Sequence, residues 1–428
     1  MMSALPVRAA YGLLGVAITP ALSLWLARRA RRGKEDSARK HERFGHAGIA
    51  RPTGTLVWLH AASVGETQSV LTLVRALLHA HPTLHLLITT GTVTSAALVA
   101  QQNLPRVIHQ FVPVDTYPAV RRFLRHWQPD LALWVESEFW PQLVWQAQAR
   151  RIPMLLLNAR ISAKTYANWQ RWPNTIRSIL RGFTTVYAGA TEYATRLRDL
   201  GAVDVRDVGN LKYDAAPLAV DAALMDELAT VCAGRPVFVA ASTHANEEQI
   251  LAEVHGLVAQ QFPALLTIIV PRHATRGNAI AADLRARGVA LAQRSAREAI
   301  TPTTAIYLAD TMGELGSFYR LADVVFIGGS LIAHGGQNPL EAARLSNALI
   351  TGTHTHNFSA IIARLVAADA IRVVSDKAAL AATVSELLAQ DTTRLGMAER
   401  ASGIVMQAQG ASAIILQQCD QLLARSTA

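Results

Sequence analysis

The chain has 428 residues, 51% of them hydrophobic and 17% charged, so it can form two or three domains with large cores. Its two cysteines, Cys232 and Cys419, lie far apart, which argues against a disulfide framework or a cysteine-rich zinc site and fits a reducing compartment. The net charge of +10 favours an anionic partner, but no run of basic and aromatic residues indicates a nucleic-acid-binding module.

The first predicted element is an apolar N-terminal segment. Residues Ala9–Leu26 carry no charge over 18 positions, near the lower limit for a helix that spans a bilayer, and a basic cluster from Arg28 to Lys34 follows. A cleaved signal peptide would carry its positive charges before the apolar run. The pattern therefore predicts a single-pass anchor, residues 1–34, with the remaining chain in the cytoplasm. The alternative is a helix that lies in the membrane interface, with its arginines on anionic head groups.

Residues 35–213 alternate apolar strands with helical patterns, which predicts a Rossmann-like, doubly wound parallel sheet. The stretch from Trp58 to Gln68 is its most informative part. It turns through small residues after a strand and places Glu66 in the first turn of the next helix. That position is the carboxyl edge, where open α/β sheets bind ligands. A helix-capping carboxylate and a catalytic carboxylate both fit it. The predicted strands are Thr55–Leu59, Leu84–Thr89, Val107–Pro113, Leu131–Val135, Met154–Leu157, Thr185–Ala188 and Val205–Val208.

A second series of strands begins near Pro217, and residues 214–410 are predicted to form a second Rossmann-like domain. Residues 411–428 predict a C-terminal helix that could pack back on the N-terminal domain. Two such domains facing a cleft form the α/β architecture called GT-B, which by itself proves no activity. The predicted strands are Val237–Ala241, Leu265–Val270, Ala305–Leu308, Val324–Ile327, Leu349–Thr351 and Ile371–Val374.

Polar residues and glycines collect where the strands of the second domain end. Arg272 and Gly313 follow neighbouring strands, and Gly335-Gly336 precede a helix start at Asn338-Pro339. A helix N-terminus after such a loop suits a phosphate, and Glu341 could accept hydrogen bonds from a ribose diol. The alternative is a glycine-rich turn before a well-capped helix. No GxGxxG motif follows the first strand, which weakens the interpretation as a dinucleotide oxidoreductase.

The sequence does not predict a metal site. It has no DxD motif, and Glu136 and Glu138 would point to opposite faces of an extended strand. Lys212 is one of five lysines and follows a strand at the predicted domain boundary. An ammonium there could stabilise developing negative charge, or it could be a solvated linker residue.

Taken together, the chain resembles the Kdo transferases. These are membrane-anchored GT-B enzymes that move 3-deoxy-D-manno-octulosonate (Kdo) from CMP-Kdo to a lipid A precursor. The matching segments span the chain from the anchor onward, in the order found in the family. They are WLHAASVGE (Trp58–Glu66), VPVDTYPAVRRFLRHWQPD (Val112–Asp130), WVESEFWP (Trp134–Pro141), NARIS (Asn158–Ser162), GNLKYD (Gly209–Asp214), ASTHANEE (Ala241–Glu248), PRH (Pro271–His273), the run from Tyr307 to Ala322 around MGELG, and GGSLIAHGGQNPLEAA (Gly328–Ala343).

The resemblance implies a role for each matching position. Glu66 matches the catalytic base, and Glu136 and Lys212 match positions that assist the transition state, although Glu138 competes with Glu136 for that role. The implied donor is CMP-Kdo and the implied acceptor is lipid IVA, with no metal, no cofactor and no nucleic acid. The implied location is the cytoplasmic face of the inner membrane. The positions that match CMP-binding segments are Pro271, Arg272, Met312, Gly313, Glu314, Asn338, Pro339, Leu340 and Glu341.

Kdo transfer from a β-linked donor to an α-ketoside inverts the anomeric centre, which requires one base on the acceptor hydroxyl. Three other functions remain open from the sequence. They are a membrane-associated GT-B transferase with a nucleotide-diphosphate sugar donor, a GT-B-like sugar-nucleotide epimerase and a non-catalytic lipid-binding protein. The sequence also leaves open how many Kdo units are added and how the acceptor is acylated.

Overall fold

The computed structural model describes residues 5–427. Their contacts divide the chain into two α/β units. Unit 1 comprises Met1–Ala215 and Ala408–Ala428, and unit 2 comprises Ala216–Gln407. Each unit is built on a seven-stranded sheet in which the paired strands run parallel. The predicted fold class, two doubly wound parallel sheets preceded by an apolar helix, is confirmed.

The sheet of unit 1 has the order β3-β2-β1-β4-β5-β6-β7. Its central strands are buried on both faces, which is why they read as continuous apolar runs in the sequence. The strands are β1 Leu56–His60, β2 His85–Thr90, β3 Val107–Phe111, β4 Leu131–Val135, β5 Met154–Ala159, β6 Thr185–Ala188 and β7 Val205–Asp207. The helices are α1 Leu5–Arg31, α2 Val64–Ala80, α3 Val93–Gln101, α4 Tyr117–Trp127, α5 Pro141–Ala149, α6 Ala163–Gln170, α7 Pro173–Leu180 and α8 Thr191–Asp199.

The sheet of unit 2 has the order β10-β11-β9-β8-β12-β13-β14. Its edge strand β10 has only three residues and no long apolar run, so the sequence pattern did not reveal it. The strands are β8 Val237–Thr243, β9 Leu266–Pro271, β10 Leu291–Gln293, β11 Ile306–Leu308, β12 Val324–Ile327, β13 Ala348–Gly352 and β14 Ile371–Val374. The helices are α9 Ala222–Cys232, α10 Glu247–Val258, α11 Gly277–Ala286, α12 Leu315–Leu321, α13 Leu340–Arg344, α14 Ser359–Ala367, α15 Lys377–Ala389 and α16 Asp391–Gln407.

The last helix, α17 (Ala411–Thr427), belongs to unit 1. Ile415 and Cys419 are fully buried in the core that α2 forms with the sheet. His81, just after α2, contacts Asp420 at 2.7 Å. The chain therefore returns to unit 1 after completing unit 2, and its C-terminal helix closes one face of the first sheet.

A proline interrupts the helical region between Ala163 and Leu180. The region forms two helices, α6 and α7, which are separated at Arg171 and Trp172. Pro173 lacks a backbone N–H and suits the first turn of a new helix, so the chain ends α6 and restarts there.

The N-terminal helix α1 is long. Within it, Val7–Arg31 meets the length and composition of a membrane span, with a mean hydropathy of 1.6 over its most apolar part. Its last turn carries three arginines, Arg28, Arg29 and Arg31. The predicted apolar element is therefore one continuous helix that ends in a basic cluster.

Candidate active site

The strand order of unit 1 reverses between β1 and β4, which are direct neighbours. At such a point the two following loops turn to opposite faces of the sheet and leave a crevice at its carboxyl edge. His60, the last residue of β1, pairs with Trp134, the penultimate residue of β4. Glu66 follows the first of these strands and Glu136 the second, so the topology places the two predicted carboxylates at one crevice.

Glu66 lies in the first turn of α2, and its side chain folds back on the start of the helix. The Ser63 hydroxyl donates to its Oε1 at 2.8 Å, and the Ala62 N–H donates to its Oε2 at 2.8 Å. Ser63 is also the N-cap, because its hydroxyl accepts the Glu66 N–H at 3.3 Å. The carboxylate thus makes the capping contacts that the sequence allowed for, and these contacts fix its position at the sheet edge.

The charge state of Glu66 is unusual for a capping residue. Its relative exposure is only 8%, and this burial raises its pKa to about 7, against the opposing hydrogen bonds from Ser63 and Ala62. The negative charges of Glu136 and Glu138 raise the pKa further. A carboxyl group that titrates near neutral pH can take up and release a proton under cellular conditions, which is what a general base requires.

Glu136 lies directly after β4 with a φ of 59°, a left-handed conformation that non-glycine residues rarely adopt. Its Oε1 is 3.9 Å from the Nζ of Lys212. The Glu138 carboxylate instead accepts the indole N–H of Trp140 at 2.7 Å. The structure therefore places Lys212 within ion-pair distance of Glu136. The assignment of Glu136 as the second functional carboxylate stays a prediction that this pairing supports.

The position of Lys212 depends on a neighbouring strand end. Asn158, near the end of β5, has a φ of 51°, and its Oδ1 accepts the N–H of Leu211 at 3.3 Å. Lys212 follows in a short 3-10 helix, Leu211–Asp214, whose N-cap is Asn210. Asn158 thereby links the NARIS and GNLKYD segments, which lie far apart in the sequence.

Unit 2 repeats this arrangement, because its strand order reverses between β8 and β12. The residue that organises the crevice is Glu247, in the first turn of α10. Its fully buried carboxylate accepts the N–H groups of Gly329 at 2.6 Å, Ser330 at 3.0 Å and Leu331 at 3.2 Å, all in the loop after β12. It also accepts the His244 N–H at 3.0 Å, in the loop after β8. Sequence analysis placed Glu247 only within the matching segment Ala241–Glu248 and gave it no role.

Other residues pack closely against the glycine pair, Gly335-Gly336, in the same loop. Gly335 has a φ of 108°, and a Cβ there would lie 2.5 Å from Nε2 of His356. Gln337 contacts His244 through their side-chain nitrogens at 2.9 Å, which joins the end of the loop to the segment after β8. The glycines are therefore required by the shape of the loop, which brings residues 328–337 over the carboxyl edge of the sheet.

Asn338 and Glu341 form a local pair at the start of α13. The Asn338 amide donates to Glu341 at 3.2 Å, and its oxygen accepts the Leu340 N–H at 3.1 Å. Burial raises the pKa of Glu341, and Arg272 is close enough for its charge to oppose this shift. The charge of Arg272 in the PRH segment thus acts on the NPLE segment. Because α13 has only five residues, its dipole is weaker than the sequence suggested. Arg272 is exposed at the end of β9, and its contact to a phosphate stays a prediction.

The other predicted nucleotide-binding residues hold the shape of this edge. Pro271 is buried at the end of β9, and Pro339 is the residue before α13. Leu340 is fully buried in the core. Pro271 and Leu340 are therefore buried next to Arg272 and Glu341 in the chain, and contacts of Pro271, Pro339 and Leu340 to a nucleotide stay predictions.

The segment Met312–Glu314 precedes α12. Gly313 has a φ of 91°, and Met312 is strongly exposed. The Glu314 carboxylate accepts from Arg294 at 2.9 Å and also from Thr311. Although burial acts in the opposite direction, these contacts hold the pKa of Glu314 below its usual value. These contacts hold the Glu314 carboxylate in place as an anion, and Met312, Gly313 and Glu314 all stay predicted contacts to a nucleotide.

Two doubly wound α/β units of this kind place the chain in the GT-B fold class. Residues 38–215 match the family model "3-Deoxy-D-manno-octulosonic-acid transferase (kdotransferase)". The chain is 36% identical over 389 residues to an Arabidopsis thaliana protein called "Probable 3-deoxy-D-manno-octulosonic acid transferase, mitochondrial". The aligned region covers 88% of this chain and 87% of that protein. The chain is 32% identical over 405 residues to the Haemophilus influenzae "3-deoxy-D-manno-octulosonic acid transferase", covering 94% of each. The chain belongs to the Kdo transferase family.

A solved structure supports the fold independently. The UDP-GlcNAc 2-epimerase from Neisseria meningitidis, bound to UDP-GlcNAc, matches 86% of this chain and all of its own, with a TM-score of 0.57. The sequence identity is 15%, so this likeness concerns the fold alone. The predicted family is thus confirmed, and the roles of individual site residues stay predictions.

Proposed function

We propose that this Kdo transferase moves Kdo from CMP-Kdo to lipid IVA with inversion, and that Glu66 is the general base. The observation that carries the proposal is the buried Glu66 carboxylate, with a pKa raised to about 7 at the switch point of unit 1. Groups with such strongly perturbed pKa values are concentrated at functional sites.

The proposed reaction is a single displacement at the anomeric carbon of Kdo. The acceptor hydroxyl forms the new C–O bond, its proton passes to Glu66, and the bond to the phosphate oxygen of CMP breaks. CMP leaves with the bonding electron pair. Lys212, at 3.9 Å from Glu136, is a cation held in place at the same edge of unit 1, where it can stabilise negative charge that develops during transfer.

Unit 2 supplies the groups proposed to hold the donor. Arg272 is exposed at the end of β9 and close to Glu341, so its guanidinium can pair with the single phosphate of CMP while Glu341 accepts from a ribose hydroxyl. A phosphate monoester leaving group carries less charge than a diphosphate. We therefore propose that arginine and backbone N–H groups suffice without a metal ion or cofactor.

The proposed site of action is the cytoplasmic face of the inner membrane. The apolar helix α1, followed by Arg28 to Lys34, supports attachment with the catalytic units on the side of the basic cluster. A single-pass anchor and an interfacial helix both satisfy this orientation. An acylated, phosphorylated acceptor fits the membrane location and the net charge of +10.

A direct assay tests the proposal. The purified protein is incubated with CMP-Kdo and lipid IVA, with and without EDTA, and the product masses are read. We expect a mass increase by whole Kdo units that EDTA does not reduce. A product formed only with a UDP-linked sugar would contradict the donor. A requirement for added metal would contradict the metal-independent mechanism.

A further inference from the structure

Helix α1 contacts unit 1 along nearly its whole length. The Tyr11 hydroxyl donates to Asp115 at 3.0 Å. One turn later Gly15 lies against Thr116, the residue before α4. Near the other end of the helix Leu26 is fully buried. These contacts repeat at intervals of three to four residues, or a multiple of them, so they form one stripe on one face of the helix.

The first turns of α1 are also bound to unit 1. The Arg8 guanidinium lies 5.1 Å from the centre of the Trp145 ring and donates to Gln148 at 3.4 Å. Both partners belong to α5. The end of the helix near the basic cluster is held as well, because Leu26 packs with Val114 and Ala119 in one buried cluster. Both ends of the helix and its middle are therefore docked.

The opposite face of α1 is apolar and exposed. Leu13 has a relative exposure of 73%, the largest value among the exposed apolar side chains of this helix. An exposed apolar face of this size in a folded chain marks a surface that is covered by another molecule or by lipid. The other large apolar side chains on the exposed surface of the helix are Val7, Leu14, Val16, Ile18, Leu24 and Trp25.

Aromatic groups lie beside α1, and a cluster of basic groups lies on the same unit. A groove of about 490 Å³ beside α1 is lined by Tyr11, Trp145, Trp169 and the strongly exposed Trp172, among others. Tryptophan and tyrosine prefer the boundary between acyl chains and head groups. On the same unit, Arg121, Arg125 and Arg150 line a pocket of about 470 Å³ that has no carboxylate among its lining residues. Apolar, aromatic and cationic groups in this combination match one leaflet of an anionic bilayer.

We propose that α1 lies in the plane of the membrane interface, docked on unit 1, and does not cross the bilayer. Its occupant is a single leaflet: acyl chains cover the exposed face of α1, and anionic head groups contact the arginines. The N-terminus then lies on the same side of the membrane as the catalytic units. This inference rests on the membrane attachment proposed above and does not depend on the reaction.

The length of the docked stripe decides between the two arrangements. From Arg8 to Leu26 the helix rises about 27 Å, nearly the full hydrocarbon thickness of about 30 Å. A docked helix that crossed the bilayer would draw the flank of unit 1 into hydrocarbon, including Asp115 and Gln148. Burial of such polar and charged groups in lipid is strongly unfavourable. An in-plane helix keeps every docking contact and places only its apolar face in lipid.

Cysteine labelling tests the side of the N-terminus. Ser3→Cys, before the described residues, is introduced into the full chain, whose native Cys232 and Cys419 are both buried. Intact spheroplasts are treated with a membrane-impermeant maleimide and compared with lysed cells. Thr392→Cys, on the exposed surface of α16, marks the side of the catalytic units. We expect both cysteines to react only after lysis. Labelling of Ser3→Cys in intact spheroplasts would overturn the proposal.

Cross-linking in native membranes tests the docking. A Cβ at position 15 lies 3.6 Å from the Cβ of Thr116, within the range of a disulfide. Gly15→Cys with Thr116→Cys should therefore cross-link on oxidation, whereas Leu13→Cys with Thr116→Cys should not. Absence of the first cross-link in the membrane fraction would contradict the docked helix. A fully soluble protein would overturn this inference and the membrane attachment, and the transfer assay would still judge the reaction separately.

Discussion

Replacement of Glu66 by glutamine separates its roles as cap and as base. An amide can still accept from Ala62 and contact Ser63, so the start of α2 is retained. It cannot take up the proton of an acceptor hydroxyl. Loss of a general base typically lowers the rate by about 10²- to 10⁴-fold, and we expect a loss of kcat in that range. In the wild type, kcat/KM should fall as the pH drops below about 7, because protonation removes the base.

The same substitution has a defined effect on stability. The pKa of Glu66 rises from 4.5 to about 7 on folding, so below pH 4.5 the group is protonated in both states and has no effect. As the pH rises from 4.5 to 7 the unfolded state loses its proton first, and stability falls by about 1.4 kcal/mol per pH unit. Above pH 7 the full cost is about 3 kcal/mol. Glu66→Gln removes this cost, so its stability relative to wild type should improve by about 2.5 kcal/mol from pH 5 to pH 8.5.

Urea unfolding followed by tryptophan fluorescence measures this effect. All eight tryptophans lie in unit 1, so the signal reports on the unit that contains Glu66. Glu192→Gln, at an exposed carboxylate on α8, serves as the matched control and should show no comparable dependence on pH. A Glu66→Gln variant with the same stability difference at both pH values would refute the argument from burial. Full activity in that variant would refute the base assignment.

Three further substitutions test the other groups. Arg272→Ala should raise the Kd for CMP and the donor KM by about 10- to 100-fold, with a smaller change in kcat, because one charge-assisted phosphate contact is lost. An unchanged Kd would exclude a contact between Arg272 and the phosphate of CMP. Lys212→Met should lower kcat by about 10²-fold while the Kd for CMP is retained. Lys164→Met, at an exposed lysine, should leave both kcat and Kd unchanged. Equal losses of kcat in the two variants would argue against a specific role of Lys212. The Glu247 carboxylate accepts four N–H groups, and Glu247→Gln replaces it with an amide that has a single acceptor oxygen. We therefore expect the affinity for CMP to fall by at least 10-fold and hydrogen exchange in residues 328–331 to accelerate. The control Glu253→Gln, at an exposed ion pair on α10, should do neither, and protected amides at 328–331 in Glu247→Gln would contradict the positioning role.

The sequence by itself determined the architecture and the family. Central parallel strands are buried on both faces, so they appear as short apolar runs such as Leu131–Val135, and their alternation with helical segments defines two doubly wound sheets. The motifs around Glu66 and Arg272 identified the family because the residues that follow one strand end form a short, continuous stretch of sequence. The break at Pro173 and the edge strand β10 were not predicted, because each is a small local departure from a stronger pattern.

Only the tertiary structure decided which strand ends are neighbours. Glu66 and Glu136 are 70 positions apart, and they share a crevice because β1 pairs with β4. From its position at the start of α10, Glu247 could be only a helix-capping residue. The structure shows that its carboxylate also accepts backbone N–H groups of the loop after β12. The apolar sequence of α1 likewise does not indicate which face of the helix docks. That face is determined by contacts of Tyr11 with Asp115 and of Gly15 with Thr116, which are about 100 positions away in the sequence. These features arise from pairing between distant segments, which no local propensity encodes.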